Sequence, residues 1–448
     1  MLVEDASGFR GEADEIVSPD SEAGVIAFLR RASETSTPVT IAGAGTGVTG
    51  GRVPLGGALL SLEKLNHIEI RQGSAITGAG ALLADLHAAA ARSGQFYPPD
   101  PTETSAAIGG TIATNASGSR SFRYGDTRRH VLRLRVALVD GRVLNVRHGE
   151  AVDFPVPAIP IPQTTKHTGG YRLQPGMDWI DLFVGSEGTL GVVLEAELRL
   201  LPNPVEVLAG VVFFPDDASA VDAVGAWRVS AQARMIEYFD APSLDLLRDR
   251  FPETPGARAA ILIEEENGDA GQWHDRLTAA GALLDDSWFA TTPADRERFR
   301  KFRHALPELV NDTMRRKGLM KLGSDYAVPI ARNREMLVEY RRRLDQEFPG
   351  QYVIFGHIGD AHLHVNILPN SGEQFARGQE LMLEFARSAV ALGGTISAEH
   401  GLGKRKAHLL PLQYTDEEIE AMKQVKRRLD PQWLLGRGTL FQQQGAAT

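Results

Sequence analysis

The chain has 448 residues, too many for one ordinary hydrophobic core, so two or three domains are expected. A formal charge of −9 leaves no basic excess to displace counterions from phosphates, which argues against nucleic acid as a partner. The absence of cysteine excludes disulfides, thiolate metal sites, cysteine nucleophiles and iron–sulfur clusters ligated by this chain. The acidic start "MLVEDASGFRGEADEIV" lacks a signal-peptide apolar core, and no apolar run is long enough to span a bilayer. A cytoplasmic protein is expected, with peripheral membrane contact left open.

Up to about Pro204 short β-like runs alternate with glycine-rich turns. "PVTIAGAG", "ALLSL", "LRLRVALVDGRVLNV" and "TLGVVLEAELRLLP" read as strands. "SEAGVIAFLRRASETST" and "GALLADLHAAAARSG" carry apolar residues at helical spacing. The prolines of "FPVPAIPIP", Phe154 to Pro162, lack amide donors, which predicts an extended surface connection. Beyond "LPNP" the texture changes. "VLAGVVFFP" then "DASAVDAVGAWRVSA", and "AAILIEEEN" then "AGQWHDRLTAAGA", each read strand then helix; "REMLVEYRRRLDQEF" then "YVIFGHIGD" reverses the order. A sheet covered by helices fits this pattern. From Thr415 the charged helix "TDEEIEAMKQVKRRL" leads into a tail. The expected division is 1–205, 206–414 and 415–448.

"PVTIAGAGTGVTGGRVPLGG" contains Gly45-Thr-Gly47-Val-Thr-Gly50, a literal GxGxxG after a strand. The Rossmann reading requires a helix next and an acidic residue about 20 positions on. Gly51, Pro54, Gly56 and Gly57 break any helix, and position 70 is Ile, so that reading fails. A phosphate-loop lysine at "GLGKRK" fails too, because Ala398 and Arg405 stand where Gly and Ser/Thr are needed. What remains is a nest of successive amides able to surround a pyrophosphate, or a glycine-rich turn with no ligand. A second small-residue stretch, Pro98 to Asp126, suggests a long ligand lying across both.

"AGAGTGVTGG", "IGGTIATNASG", "RYG" and "DLFVGSEGTLGVV" resemble the flavin-binding domain of the vanillyl-alcohol oxidase / p-cresol methylhydroxylase superfamily. "GHIGDAHLHVN", "SAEHGLGKRK" and "KRRLDPQWLL" resemble its FAD-linked D-2-hydroxyacid dehydrogenase branch, which includes D-lactate and D-2-hydroxyglutarate dehydrogenases and the D subunit of glycolate oxidase. The resemblance runs over nearly the whole chain with its motifs in order. It implies an α+β protein: a two-subdomain FAD-binding domain of the p-cresol methylhydroxylase type, an antiparallel-sheet cap domain covered by helices, and a C-terminal tail returning to the flavin domain. It further implies that Gly43, Ala44, Gly45, Thr46, Gly47, Thr49 and Gly50, with Pro99, Asp100, Thr104 and Ser105, hold FAD phosphates and ribityl. Gly109, Gly110, Thr114, Asn115 and Gly118 would line the flavin, and Glu187, Gly188, Gly191, Val192 and Val193 would set backbone against the cofactor. Thr46 stands where covalent relatives have a flavin-bonded histidine, so non-covalent FAD is expected. Ala42 replaces the usual arginine before the first glycine.

Between His362 and Leu368 residues alternate, with His362, His364 and Asn366 on one side and Leu363, Val365 and Ile367 on the other. A strand sends these sets to opposite faces, so the polar set faces either solvent or a site. The resemblance implies that His357, His364 and Glu399 bind a divalent metal; two imidazoles and a carboxylate suit zinc, or manganese, cobalt or iron. It also places Arg303 at the substrate carboxylate, with Asn366 and the displaced Lys321 nearby. An imidazole, with a pKa of about 6.5, suits removal of a hydroxyl proton, and His400 is the candidate base. Ala361 and His362 depart from the common pattern, His362 as a further ligand or a substrate contact, and "LLGRG" replaces the usual closing motif.

The activity implied is oxidation of a D-2-hydroxy acid to the 2-oxo acid. The alternatives are a metal-free flavin oxidase of the same fold and a non-catalytic flavin-binding subunit. Electrons would pass to a quinone, an electron-transfer flavoprotein or an iron–sulfur partner subunit, and the oligomeric state is left open, with a homodimer as one option.

Overall fold

Three sheets organise the chain in the computed structural model, which describes residues 1–290 and 292–442. The first is parallel, in the order Glu15–Val17, Ala58–Ser61, Val39–Ala42. The C-terminal segment closes its edge. The Val39 amide donates to the Leu434 carbonyl at 2.8 Å, and the Gly436 amide donates to the Val39 carbonyl at 2.9 Å. The second sheet is antiparallel, in the order Val143–Arg147, Val131–Ala137, Val192–Arg199, Ser74–Gly78, Ile68–Arg71. The third, also antiparallel, has seven strands: Trp288–Ala290, Val207–Phe214, Ala259–Glu266, Ala233–Asp240, Tyr352–His357, His362–Ile367 and Leu322–Gly323. The expected α+β architecture is what forms.

Local chemistry explains the helices. Glu22–Glu34 begins at Ser21, whose hydroxyl accepts from the Gly24 amide, and it buries Val25, Phe28, Leu29 and Ala32 at helical spacing. Asp416–Leu429 opens with a reciprocal cap between Thr415 and Glu418. Its acidic first turn and basic last turn both complement the helix dipole.

Two elements depart from the sequence reading. The 154–162 segment is extended, but Val156 and Ile159 are buried and Phe154 packs edge-on to Trp179, so it is pinned to the core rather than riding on the surface. The strand Ala233–Asp240 escapes a pattern search because Arg234, Glu237 and Asp240 interrupt its apolar run. All eight residues are nonetheless buried, since the charges find partners; Asp240, for instance, lies 3.2 Å from Arg341.

The tail is held by one buried cation. Lys426 Nζ donates to the carbonyls of Thr189 (2.8 Å) and Leu435 (2.9 Å) and to Asp430 Oδ2 (2.8 Å), and Asp430 in turn accepts from the Leu434 and Leu435 amides. Removing one partner of a buried pair strands the other charge. Lys426→Met should therefore lose about 3 kcal/mol of unfolding free energy, near the lower end of that class, in a denaturant titration.

Candidate active site

A single cavity of about 1420 Å³ runs from the N-terminal glycine loops to the histidine hairpin. That is more than the roughly 300–1,000 Å³ usual for one small ligand, and it suits a dinucleotide together with a substrate. One end is walled by Gly43, Ala44, Gly45, Thr46, Gly47 and Thr49, by Gly109, Gly110, Thr114 and Gly118, and by Glu187, Gly188, Gly191 and Val193. Among the described residues, no protein group accepts from the amides of Ala44 to Val48. Such a run of free donors is an anion nest. Gly45 has φ +85°, and a Cβ there would lie 1.7 Å from Arg52 Nη1, so the Arg52 guanidinium presses directly on the loop. Arg52 and Arg405 both border the cavity, which restores positive charge that Ala42 cannot supply.

The other expected cofactor residues stand behind this wall. The Gly50 amide donates to Asp5 Oδ2 at 2.7 Å, so it anchors the loop to the N-terminal segment. The Pro99 carbonyl faces His87 Nε2 at 3.2 Å, and Asp100 pairs with Arg120. Thr104 accepts from the Ala84 amide through its carbonyl, while the Ser105 hydroxyl donates to Glu103. Asn115 turns inward, donating to Asp126 and accepting from the Arg128 amide, and Val192 is a fully buried strand residue. The Glu187 carboxylate accepts from the Leu402 and Gly403 amides, tying the flavin-side loop to the "EHGLG" turn; burial pushes it up to about 7.

At the far end the hairpin Tyr352–His357/His362–Ile367 sets His357 opposite His362 and Phe355 opposite His364. Ala361 makes the turn at φ +51°, a conformation that costs a side-chain-bearing residue on the order of 1 kcal/mol. Gly356 lacks a side chain where a Cβ would approach His364 Cδ2 to 2.7 Å, so the imidazole can lie across its neighbour strand. Glu399 comes from the turn after Thr395. Its Oε1 lies 3.0 Å from His357 Nε2 and 3.5 Å from His364 Nε2. Its Oε2 accepts from Ser117 Oγ (2.7 Å), the Gly118 amide (3.2 Å) and Lys166 Nζ (3.1 Å). Burial alone would raise this carboxyl, but Lys166 and His357 outweigh it and hold it well below the usual range. His357, His362, His364 and Glu399 each offer a ligand atom within 4.8 Å of the others.

Behind the imidazoles sit acceptors. His357 Nδ1 is 2.5 Å from Glu237 Oε1, and His364 Nδ1 is 3.3 Å from the Ser324 carbonyl. Glu237 Oε2 also takes Arg303 Nε at 2.7 Å, and despite burial His357 and Arg303 hold Glu237 well below the usual carboxylate range. Arg303 borders the cavity, its guanidinium lies over Phe355, and its Nη1 has no partner among the described residues. Lys321 and Asn366 line the same wall, and burial alone lowers the Lys321 ammonium to about 8. His400 stacks on His364 with ring centroids 5.7 Å apart, and its Nδ1 lies 3.5 Å from Asp325 Oδ1. Burial lowers its pKa, partly offset by Asp325, so its imidazole is neutral near pH 7.

The sequence reading missed four contributors: Lys166, Glu237, Asp325 and Arg52. Only Glu237 left a trace, as a lone carboxylate inside an apolar strand.

Comparisons with known proteins fit this geometry. Residues 203–440 match the family described as FAD linked oxidases, C-terminal domain, and residues 13–147 match the FAD binding domain. A D-lactate dehydrogenase of Archaeoglobus fulgidus is 32% identical over 94% of this chain and 90% of its own. A D-2-hydroxyglutarate dehydrogenase of Xanthomonas citri pv. viticola is 31% identical over 97% of this chain and 90% of its own. A solved structure of alkyldihydroxyacetonephosphate synthase shares the fold with a TM-score of 0.70 at 16% identity, covering 94% of this chain and 76% of that one. The chain belongs to the FAD-linked oxidases. It is an FAD-binding oxidoreductase. No described helix is long and apolar enough to cross a membrane.

Glu237 balances both Arg303 and His357 in a buried setting. Glu237→Gln should cost about 3 kcal/mol of stability in denaturant unfolding, because it leaves the Arg303 guanidinium without a counter-charge.

Proposed function

We propose that the chain oxidises a D-2-hydroxy acid of the lactate, 2-hydroxyglutarate or glycolate class to the 2-oxo acid. The observation that carries this reading is the convergence of His357, His364 and Glu399 in the same cavity as the glycine loops. The names of the relatives, D-lactate and D-2-hydroxyglutarate dehydrogenase, support the substrate class.

The free amides of Ala44 to Val48, with Arg52 and Arg405 beside them, fit the pyrophosphate of non-covalent FAD. Gly47 and Gly110 face open space, where a side chain would intrude on the cofactor. Bound FAD supplies the acceptor for two electrons and the C2 hydrogen. His357, His364 and Glu399 fit a divalent cation, with zinc the best match to two nitrogens and an oxygen, and manganese, cobalt or iron as alternatives. Such a cation lowers the pKa of an alcohol as it does that of water.

The protein's own groups do the rest. Arg303, whose Nη1 is free, and Lys321 receive the substrate carboxylate, and Asn366 fixes its orientation. His400 keeps Nδ1 toward Asp325, so Nε2 is the atom that takes the hydroxyl proton. Glu237 locks Arg303 and His357 together, which keeps the carboxylate site and the ligand set in register. Electrons then leave to a separate acceptor, a quinone, an electron-transfer flavoprotein or an iron–sulfur subunit, since the chain carries no cysteine.

Purified protein should contain a stoichiometric divalent metal by elemental analysis. His364→Ala should lose it, together with more than about 100-fold in turnover. A metal-free preparation that turns over normally would point instead to a metal-independent flavin oxidase. Anaerobic flavin bleaching with a panel of D- and L-hydroxy acids identifies the substrate. The Lys321 ammonium is charged below about 8 and loses its proton above. KM should therefore rise as pH passes that value, and Lys321→Met should have a higher KM below it and no such rise.

A further inference from the structure

We propose that His362 is a fourth protein ligand, so that the metal site is built from three imidazoles and one carboxylate. This rests on the metal-dependent reading above and extends it. His362 is fully buried, and neither ring nitrogen has an aligned hydrogen-bond partner among the described residues. A buried neutral imidazole that serves only as packing ordinarily satisfies at least one nitrogen. This one does not.

Its orientation matches that of the other two histidines. His362 Nδ1 lies 4.0 Å from Glu399 Oε1, the oxygen that also faces His357 Nε2 and His364 Nε2. That gap is too long for a hydrogen bond and lies just within the combined reach of two ligand bonds of about 2.0–2.1 Å. Its opposite nitrogen, Nε2, is 3.2 Å from Asp325 Oδ1, off the line of a hydrogen bond. Each of the three rings thus turns one nitrogen toward Glu399 and backs the other with an acceptor: Glu237, Asp325 or the Ser324 carbonyl. Metal-binding histidines are oriented in this way. Asp325 Oδ2 accepts from Ser397 Oγ and the His400 amide, while Oδ1 faces His362 Nε2 and His400 Nδ1.

Three nitrogens and one oxygen favour zinc, cobalt or iron over magnesium or calcium, which prefer oxygen donors. An ion that takes a fifth ligand keeps a place for the substrate alcohol.

X-ray absorption at the zinc edge of the flavin-loaded wild-type protein should count three imidazoles. A count of two overturns the proposal, whatever happens to any variant. In chelator competition, His362→Asn should weaken zinc binding by at least about tenfold and change the visible bands of the cobalt-loaded protein. Unchanged affinity and spectrum in His362→Asn, with metal still lost in His364→Ala, would remove His362 from the site but leave the three-residue metal reading intact. Wild-type protein that binds no zinc or cobalt would overturn both.

Discussion

The site depends on how one carboxylate divides its two oxygens. Glu399 gives Oε2 to Ser117, Gly118 and Lys166 on the flavin side, and turns Oε1 to the histidines of the seven-stranded sheet. A lone buried carboxylate would neutralise itself by taking a proton. Lys166 prevents that, and its own buried ammonium is satisfied further by the Gly118 carbonyl. The two halves of the protein therefore meet through a charge that neither could bury alone.

Around that charge, carboxylates alternate with guanidinium and imidazole groups. Glu237 stands between Arg303 and His357, and Asp325 stands between His362 and His400. Each acidic group fixes two basic ones, so ring orientation and guanidinium orientation are set together. Arg303 is spoken for through Nε, while its buried Nη1 has no partner among the described residues. Second-layer carboxylates of this kind raise ligand basicity and lock tautomers. They also explain why so many ionisable groups tolerate burial at one place.

The sequence made the local part of this legible. The two-residue alternation from His362 to Ile367 assigns a face to each side chain, and the glycine loops announce exposed amides. Neither property needs a distant partner. Lys166 and Asp325 were invisible, and Glu237 showed only as a lone carboxylate in an apolar strand, because their roles depend on contacts across the chain: Lys166 reaches Glu399 over 233 positions, and Glu237 reaches His357 over 120. No spacing rule encodes such meetings. Arg52 was overlooked for a related reason. Position 42 lacks the cation expected before the loop, whereas the Arg52 guanidinium folds back onto Gly45 from beyond it. The proline-rich 154–162 segment shows the opposite error: its lack of amide donors does bar it from a sheet, but says nothing about whether Val156 and Ile159 are buried.

The closure of the parallel sheet by Leu434 and Gly436 has a consequence for biosynthesis. Val39 emerges from the ribosome almost 400 residues before its hydrogen-bonding partners, so that strand border stays open until they follow. An unpaired border is a template for adventitious association with other chains. The flavin lobe can gather its helices early, yet it cannot seal this seam until residues 434–436 have left the ribosome. Maturation of the nucleotide end is thereby tied to arrival of the segment around Leu434.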